Sequence, residues 1–218
     1  MEYQKPRVKI CCISSVEEAQ TAVRFGASAI GLVSEMPSGP GVISEKLIGE
    51  IAQSIPAGID TFLLTCKQNP ETIIAQQQRT RVNTIQLVDA FLLSDYAILR
   101  QALSGIRIVQ VIHVSGAKSI QEAAAIAPYV DAILLDSGNP LLETKELGGT
   151  GRTHDWSVSR RIRDCVNVPI YLAGGLKPEN VLEAIEFVHP YALDVCSGVR
   201  TNGHLDKQKL AAFFSKII

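Results

Sequence analysis

Three observations predict an α/β fold, a single-domain (β/α)8 TIM barrel over residues 1–218. Short β-branched runs alternate with amphipathic stretches eight times, the length lies within the roughly 200–250 residues of such barrels, and the glycine-rich loops come late, after strands six, seven and eight. A doubly wound open sheet shows the same alternation, but a dinucleotide fold of that kind wants GxGxxG after its first strand. Cys12, Ile13, Ser14 and Ser15 stand there instead, without a glycine.

Taken in order, the strands are expected over residues 8–13, 29–33, 60–65, 84–88, 108–114, 132–136, 168–173 and 193–196. Each run is short and mostly apolar, as parallel strands covered on both faces are. A helix is expected over 16–25, where Val16, Ala19, Ala22 and Val23 share one stripe, and another over 44–55, with Leu47, Ile48 and Ile51 likewise. Ser15 with Glu18, and Ser44, are helix starts; Gly26 is a helix end. Asp155 is expected to cap the sixth helix rather than to pair with His154 in acid–base work, and Pro178 to sit in the first turn of the seventh.

Twenty-one basic and 22 acidic residues give a formal net charge of −1 without a long block of either sign, which argues against nucleic acid or a membrane surface as partner. The N-terminal residues lack a secretory pattern and no apolar run approaches the roughly 20 residues of a membrane span, so a cytoplasmic location is expected. Cysteines 11, 12, 66, 165 and 196 lack zinc-ligand spacing and read as reduced thiols, with Cys66 and Cys196 as core filling. On a strand, Cys11 and Cys12 would point to opposite faces. His113, His189 and His204 are scattered, so no metal site is expected.

The late loops carry Gly148, Gly149, Thr150 and Gly151, then Gly174 and Gly175, then Ser197 and Gly198. Together they can present backbone N–H donors to a phosphate, so the expected ligand is a small phosphorylated metabolite. Cys11, at the end of strand one, is either a base or nucleophile or a small buried hydrophobe. Asp136 ends an apolar strand, where an acid is costly to bury without purpose. Lys9 shares a face with Cys11 and either enters the barrel mouth or snorkels to solvent. Asp194 is expected to order a loop or cap a backbone group.

Five segments then resemble the phosphoribosylanthranilate isomerase family: Lys9 to Ser14, Leu135 to Ser137, Gly148 to Ser157, Leu172 to Val181 and Asp194 to Val199. The resemblance runs through nearly the whole chain in order. It implies a cofactor-free Amadori rearrangement of N-(5-phosphoribosyl)anthranilate in tryptophan biosynthesis. The aspartate matching Asp136 protonates the ribose ring oxygen, and the cysteine matching Cys11 removes the C2 proton. Such a pair needs an aspartate pKa raised and a thiol pKa lowered.

The chain departs from the family in three places. Cys12 replaces a glycine, Gly41 stands where an arginine meets the anthranilate carboxylate, and Gln86-Leu87-Val88-Asp89 replaces Gln-Leu-His-Gly. Gln86, Lys9 and Arg152 are the remaining candidates to touch substrate, the two cations as substitutes for that arginine; Glu35 and Asp89 could instead repel the carboxylate. Two further readings stand beside the isomerase: a paralogue acting on another phosphorylated aminoribose, and a non-catalytic phosphometabolite-binding barrel.

Overall fold

In the computed structural model, which describes residues 5–217, the parallel strands pair in sequence order and close on themselves. They are β1 (Arg7–Ile10), β2 (Ala29–Val33), β3 (Asp60–Thr65), β4 (Thr84–Leu87), β5 (Arg107–His113), β6 (Ala132–Asp136), β7 (Ile170–Leu172) and β8 (Ala192–Val195). Register is continuous around the barrel, and the closing pair sets Lys9 beside Asp194 and Ile10 beside Val195. Residues 1–4 and 218 of the expected domain lie outside the described residues.

Among the described residues, eight α-helices cover the outside: α1 (Val16–Arg24), α2 (Glu45–Ser54), α3 (Pro70–Thr80), α4 (Asp95–Ala102), α5 (Lys118–Ile126), α6 (Trp156–Cys165), α7 (Val181–Val188) and α8 (Lys207–Ile217). Local chemistry starts several of them. Ser15 accepts a hydrogen bond from the Glu18 N–H at 3.1 Å, Ser44 from Leu47 N at 3.2 Å, and Asp155 from Ser157 N at 2.9 Å. Pro178 does not reach its expected place, because α7 begins at Val181 and the preceding turn is held by Asn180, whose side chain accepts from Lys177 N. The Glu18 carboxylate likewise accepts from Ser14 N and not from the capping residue's own N–H.

Two apolar layers result. The outer one packs helix stripes such as Ala19, Ala22, Ile48, Ile51, Ile162 and Phe213 against outward-facing strand residues. The inner one fills the barrel with Phe62, Leu64, Val109, Val111, Leu134 and Tyr171. The expected first strand was too long. Cys12 has φ 60°, so the extended backbone ends before it, and the side chains of Cys11 and Cys12 both reach the barrel mouth instead of opposite faces. A short antiparallel pair, β9 (Arg200–Thr201) with β10 (His204–Leu205), precedes α8 and had no expectation.

Candidate active site

The carboxyl ends of the strands surround a cleft that opens to solvent, the position at which barrel enzymes place their active sites. Strand one supplies Cys11 and Cys12, strand four Gln86 and Val88, strand six Asp136, and strand eight Asp194, Cys196 and Ser197. The three late loops close one side, with Gly148, Gly149, Thr150, Gly151, Gly174 and Gly175 on the wall. Their meeting depends on missing side chains. A Cβ on Gly198 would lie 2.0 Å from the Leu176 carbonyl oxygen, and one on Gly175 would lie 2.8 Å from the backbone of Arg152 and Thr153. Gly198 itself faces an adjoining depression shared with Gly151, Gly175 and Ser197.

Much of the remaining lining is apolar: Val33, Met36, Pro40, Leu64, Val88 and Leu147. Periodicity could not single these residues out, since they come from four loops or strand ends far apart in sequence. Ser38 ties the second loop to the sixth by donating to the Lys145 carbonyl at 2.6 Å.

The polar groups at the cavity are tuned in opposite directions. Burial pushes the Asp136 carboxyl up, although the Ser137 N–H donates to its Oδ1 at 2.7 Å. For Cys11, a hydrogen bond with the Cys12 thiol is the largest influence, and with the Lys9 ammonium it outweighs burial to hold the thiol below its ordinary range. Beneath Cys11, Lys9 is fully buried and donates to Asp194 Oδ2 at 2.9 Å. Burial works against the Lys9 charge, but Asp194 and the neighbouring Cys11 overcome it, and the ammonium stays charged. The opposite oxygen, Asp194 Oδ1, and the side-chain Oε1 of Gln86 are buried without a hydrogen-bond partner.

Each anticipated residue can now be located. Lys9 enters the barrel rather than snorkelling, but it lies below the cavity floor and does not line the wall. Arg152 points away and bonds Glu146 at the surface. Asp194, expected to serve a loop, instead forms the buried pair with Lys9 across the barrel seam. Cys196, expected as core filling, lines the cavity with its Sγ 2.8 Å from that of Cys12. Among the described residues lining the cavity there is no Lys or Arg. Asp89 is neutralised by Lys145 at 2.6 Å, and Glu35 is exposed outside the wall.

Sequence reasoning also missed Arg200. Its guanidinium donates to the carbonyls of Cys11 at 3.2 Å and Cys12 at 2.6 Å while pairing with Glu18. A chain separation near 190 residues leaves no local pattern for such a tie. Among the described residues no group of three or more His, Cys, Asp and Glu side chains is placed to hold a metal ion, and no helix is long and apolar enough to cross a membrane.

Comparison with known proteins agrees with the closed barrel. The family described as N-(5'phosphoribosyl)anthranilate (PRA) isomerase matches residues 8–216. N-(5'-phosphoribosyl)anthranilate isomerase 2 of Methanosarcina mazei is 37% identical over 209 residues, covering 95% of this chain and 92% of its own. The crystal structure of the Thermotoga maritima phosphoribosyl anthranilate isomerase superposes with a TM-score of 0.83 at 30% identity, covering 97% of this chain and 98% of that one. A second superposes at 0.81 with 28% identity and the same coverage; it is a phosphoribosyl anthranilate isomerase in complex with reduced 1-(o-carboxyphenylamino)-1-deoxyribulose 5-phosphate. With eight strands closed in order, an acid and a thiol at one mouth, and a match spanning 8–216, the chain belongs to the N-(5'-phosphoribosyl)anthranilate isomerase family.

Proposed function

We propose that the chain catalyses the aldose–ketose isomerisation of N-(5-phosphoribosyl)anthranilate to 1-(o-carboxyphenylamino)-1-deoxyribulose 5-phosphate, a cytoplasmic step of tryptophan biosynthesis. The observation that carries this reading is the opposed tuning of two groups on one cavity, Asp136 raised and Cys11 lowered. Asp136, whose protonated form burial favours, gives its proton to the ribose ring oxygen, and the ring opens to a Schiff base. Cys11, whose thiolate form is favoured by the Cys12 thiol and the Lys9 ammonium, takes the C2 proton, and the enolamine collapses to the ketone. Only protons move, so the chemistry asks for no redox partner.

The amides of Gly149, Gly175 and Ser197 and their neighbours Gly148, Thr150, Gly151, Gly174 and Gly198 are assigned to the phosphate, because the three loops converge there. The apolar part of the lining suits an aromatic ring, and the unpartnered Gln86 oxygen suits a sugar hydroxyl or amine donor. With the phosphate on the late loops, the reacting ribose lies within reach of Cys11 and Asp136.

A second reading is favoured by one observation, the lack of a cation on the wall where the anthranilate carboxylate would lie. It gives the same two residues a phosphorylated aminoribose without that carboxylate. Anthranilate fluorescence with freshly generated substrate separates the two. Decay of the signal at a rate proportional to enzyme supports the first reading; an unchanged signal, with turnover of a carboxylate-free analogue, supports the second.

A further inference from the structure

We propose that Cys12 and Cys196 are a thiol-oxidation site, closing to a reversible disulfide on the cavity wall beside Cys11 and switching turnover off while it lasts. The two residues follow neighbouring strands: Ile10 pairs with Val195, and Cys11 N donates to the Val195 carbonyl at 2.9 Å. The left-handed turn at Cys12 brings its side chain back to the barrel mouth, where its Sγ lies 2.8 Å from that of Cys196. That is about 0.8 Å from a bonded separation. Both line the open cavity, Cys196 half-buried and Cys12 buried, so a small oxidant reaches the pair by the route substrate would use.

Cys66 and Cys165 lack this arrangement. Cys66 donates to the Glu35 carbonyl, and Cys165 is exposed at the end of α6.

The oxidant is a low-molecular-weight disulfide, RSSR. The Cys196 thiolate attacks one of its sulfurs, forming a mixed disulfide and releasing RS⁻, which takes up the Cys196 proton. Cys12 then gives up its proton, attacks the Cys196 sulfur and expels the second RS⁻, which takes that proton. One protein S–S bond forms, one reagent S–S bond breaks, two protein thiols are oxidised and RSSR leaves as two RSH. An added dithiol reverses both exchanges.

The consequence for turnover rests on the isomerase reading; the chemistry of the pair does not. The Cys12 thiol is the largest influence lowering Cys11. Once its sulfur is in a disulfide it carries no S–H, only the Lys9 ammonium and the Cys12 backbone N–H are left to oppose burial, and Cys11 shifts back toward the neutral thiol, a weaker base.

The test uses the purified, fully reduced protein incubated with oxidised glutathione, followed by alkylation of remaining thiols and peptide mapping, with turnover measured in parallel. The expected result is a Cys12–Cys196 linked peptide, turnover lower by roughly a hundredfold, and recovery on addition of dithiothreitol. Cys196→Ala and Cys196→Ser, each compared with its own reduced form, form no such link and keep their rate. The proposal is overturned if Cys12 and Cys196 both stay open to alkylation after Cys165 has reacted, if the link joins Cys11 instead, or if linked protein turns over unchanged. Because the map needs no substrate, failure of the isomerase reading and failure of the oxidation site are separately visible.

Discussion

Cys12 holds a left-handed backbone with φ 60°, a conformation costing a residue with a Cβ roughly 1–2 kcal/mol. A glycine, which the family resemblance implies here, would adopt that conformation freely. Gly41, the second position at which the resemblance implies a difference, lies against it: a Cβ on Gly41 would stand 2.6 Å from the Cβ of Cys12, and Gly41 itself has φ +81°. The two positions are therefore coupled sterically, so an arginine at 41 needs a smaller residue at 12. Gly41→Arg is expected to destabilise the fold by about 2 kcal/mol or more. Adding Cys12→Gly should recover part of that loss, a coupling of roughly 0.5–3 kcal/mol in a denaturant double-mutant cycle; strict additivity would refute the contact. Neither half of this coupling shows in periodicity, because alternation along a strand presumes extended backbone at position 12.

Asp136, by contrast, is legible as a lone acid closing an apolar strand, and its burial sets a second test. Its pKa is raised in the fold, so the folded state binds its proton more tightly than the unfolded chain. That contribution to stability is full below the unfolded carboxyl pKa, about 3.9, and is lost as pH rises through the folded value. Asp136→Asn removes the loss. The melting temperature of the variant should exceed the parent's at neutral pH, and the difference should shrink toward acid. A difference independent of pH would mean the carboxyl is not held protonated by the fold.

At the scale of elements, the strand ends decide the chemistry. The β1–β8 seam closes over the Lys9–Asp194 pair, both side chains nearly inaccessible. Removing one partner leaves a buried charge, so Asp194→Ala should cost roughly 3–5 kcal/mol. The double variant Lys9→Met with Asp194→Leu should regain most of it in urea unfolding, an outcome that a purely packing role for Asp194 would not give. Strand alternation puts Lys9 on the face of Cys11 but leaves open whether it enters the barrel or snorkels to solvent. Its partner 185 residues on could not be read, since only closure of the sheet makes them neighbours. The glycine loops were legible as a group, while the backbone approach of Gly198 to Leu176 was not. Gly198→Ala must push those loops apart, and we expect KM to rise about tenfold with kcat nearly kept. A fall confined to kcat would remove the phosphate from these loops.

For the molecule as a whole, eight alternating units mark the α/β class, because each carries its own apolar stripe, and the late position of the glycine loops favours the barrel over an open sheet. What stayed hidden was what closure creates: the apolar lining gathered from distant loops, the Arg200 tie to Cys11 and Cys12, and the β9–β10 pair. The catalytic account stands on one division of labour, with Cys11 and Asp136 moving protons while the loops and the apolar wall hold the substrate. Its most direct test is the steady-state rate of Cys11→Ala and Asp136→Asn in the anthranilate fluorescence assay. We predict kcat lower by roughly a hundred to ten-thousandfold for each, with KM within about threefold of the parent. An Asp136→Asn or Cys11→Ala enzyme with near-parental kcat would contradict the account.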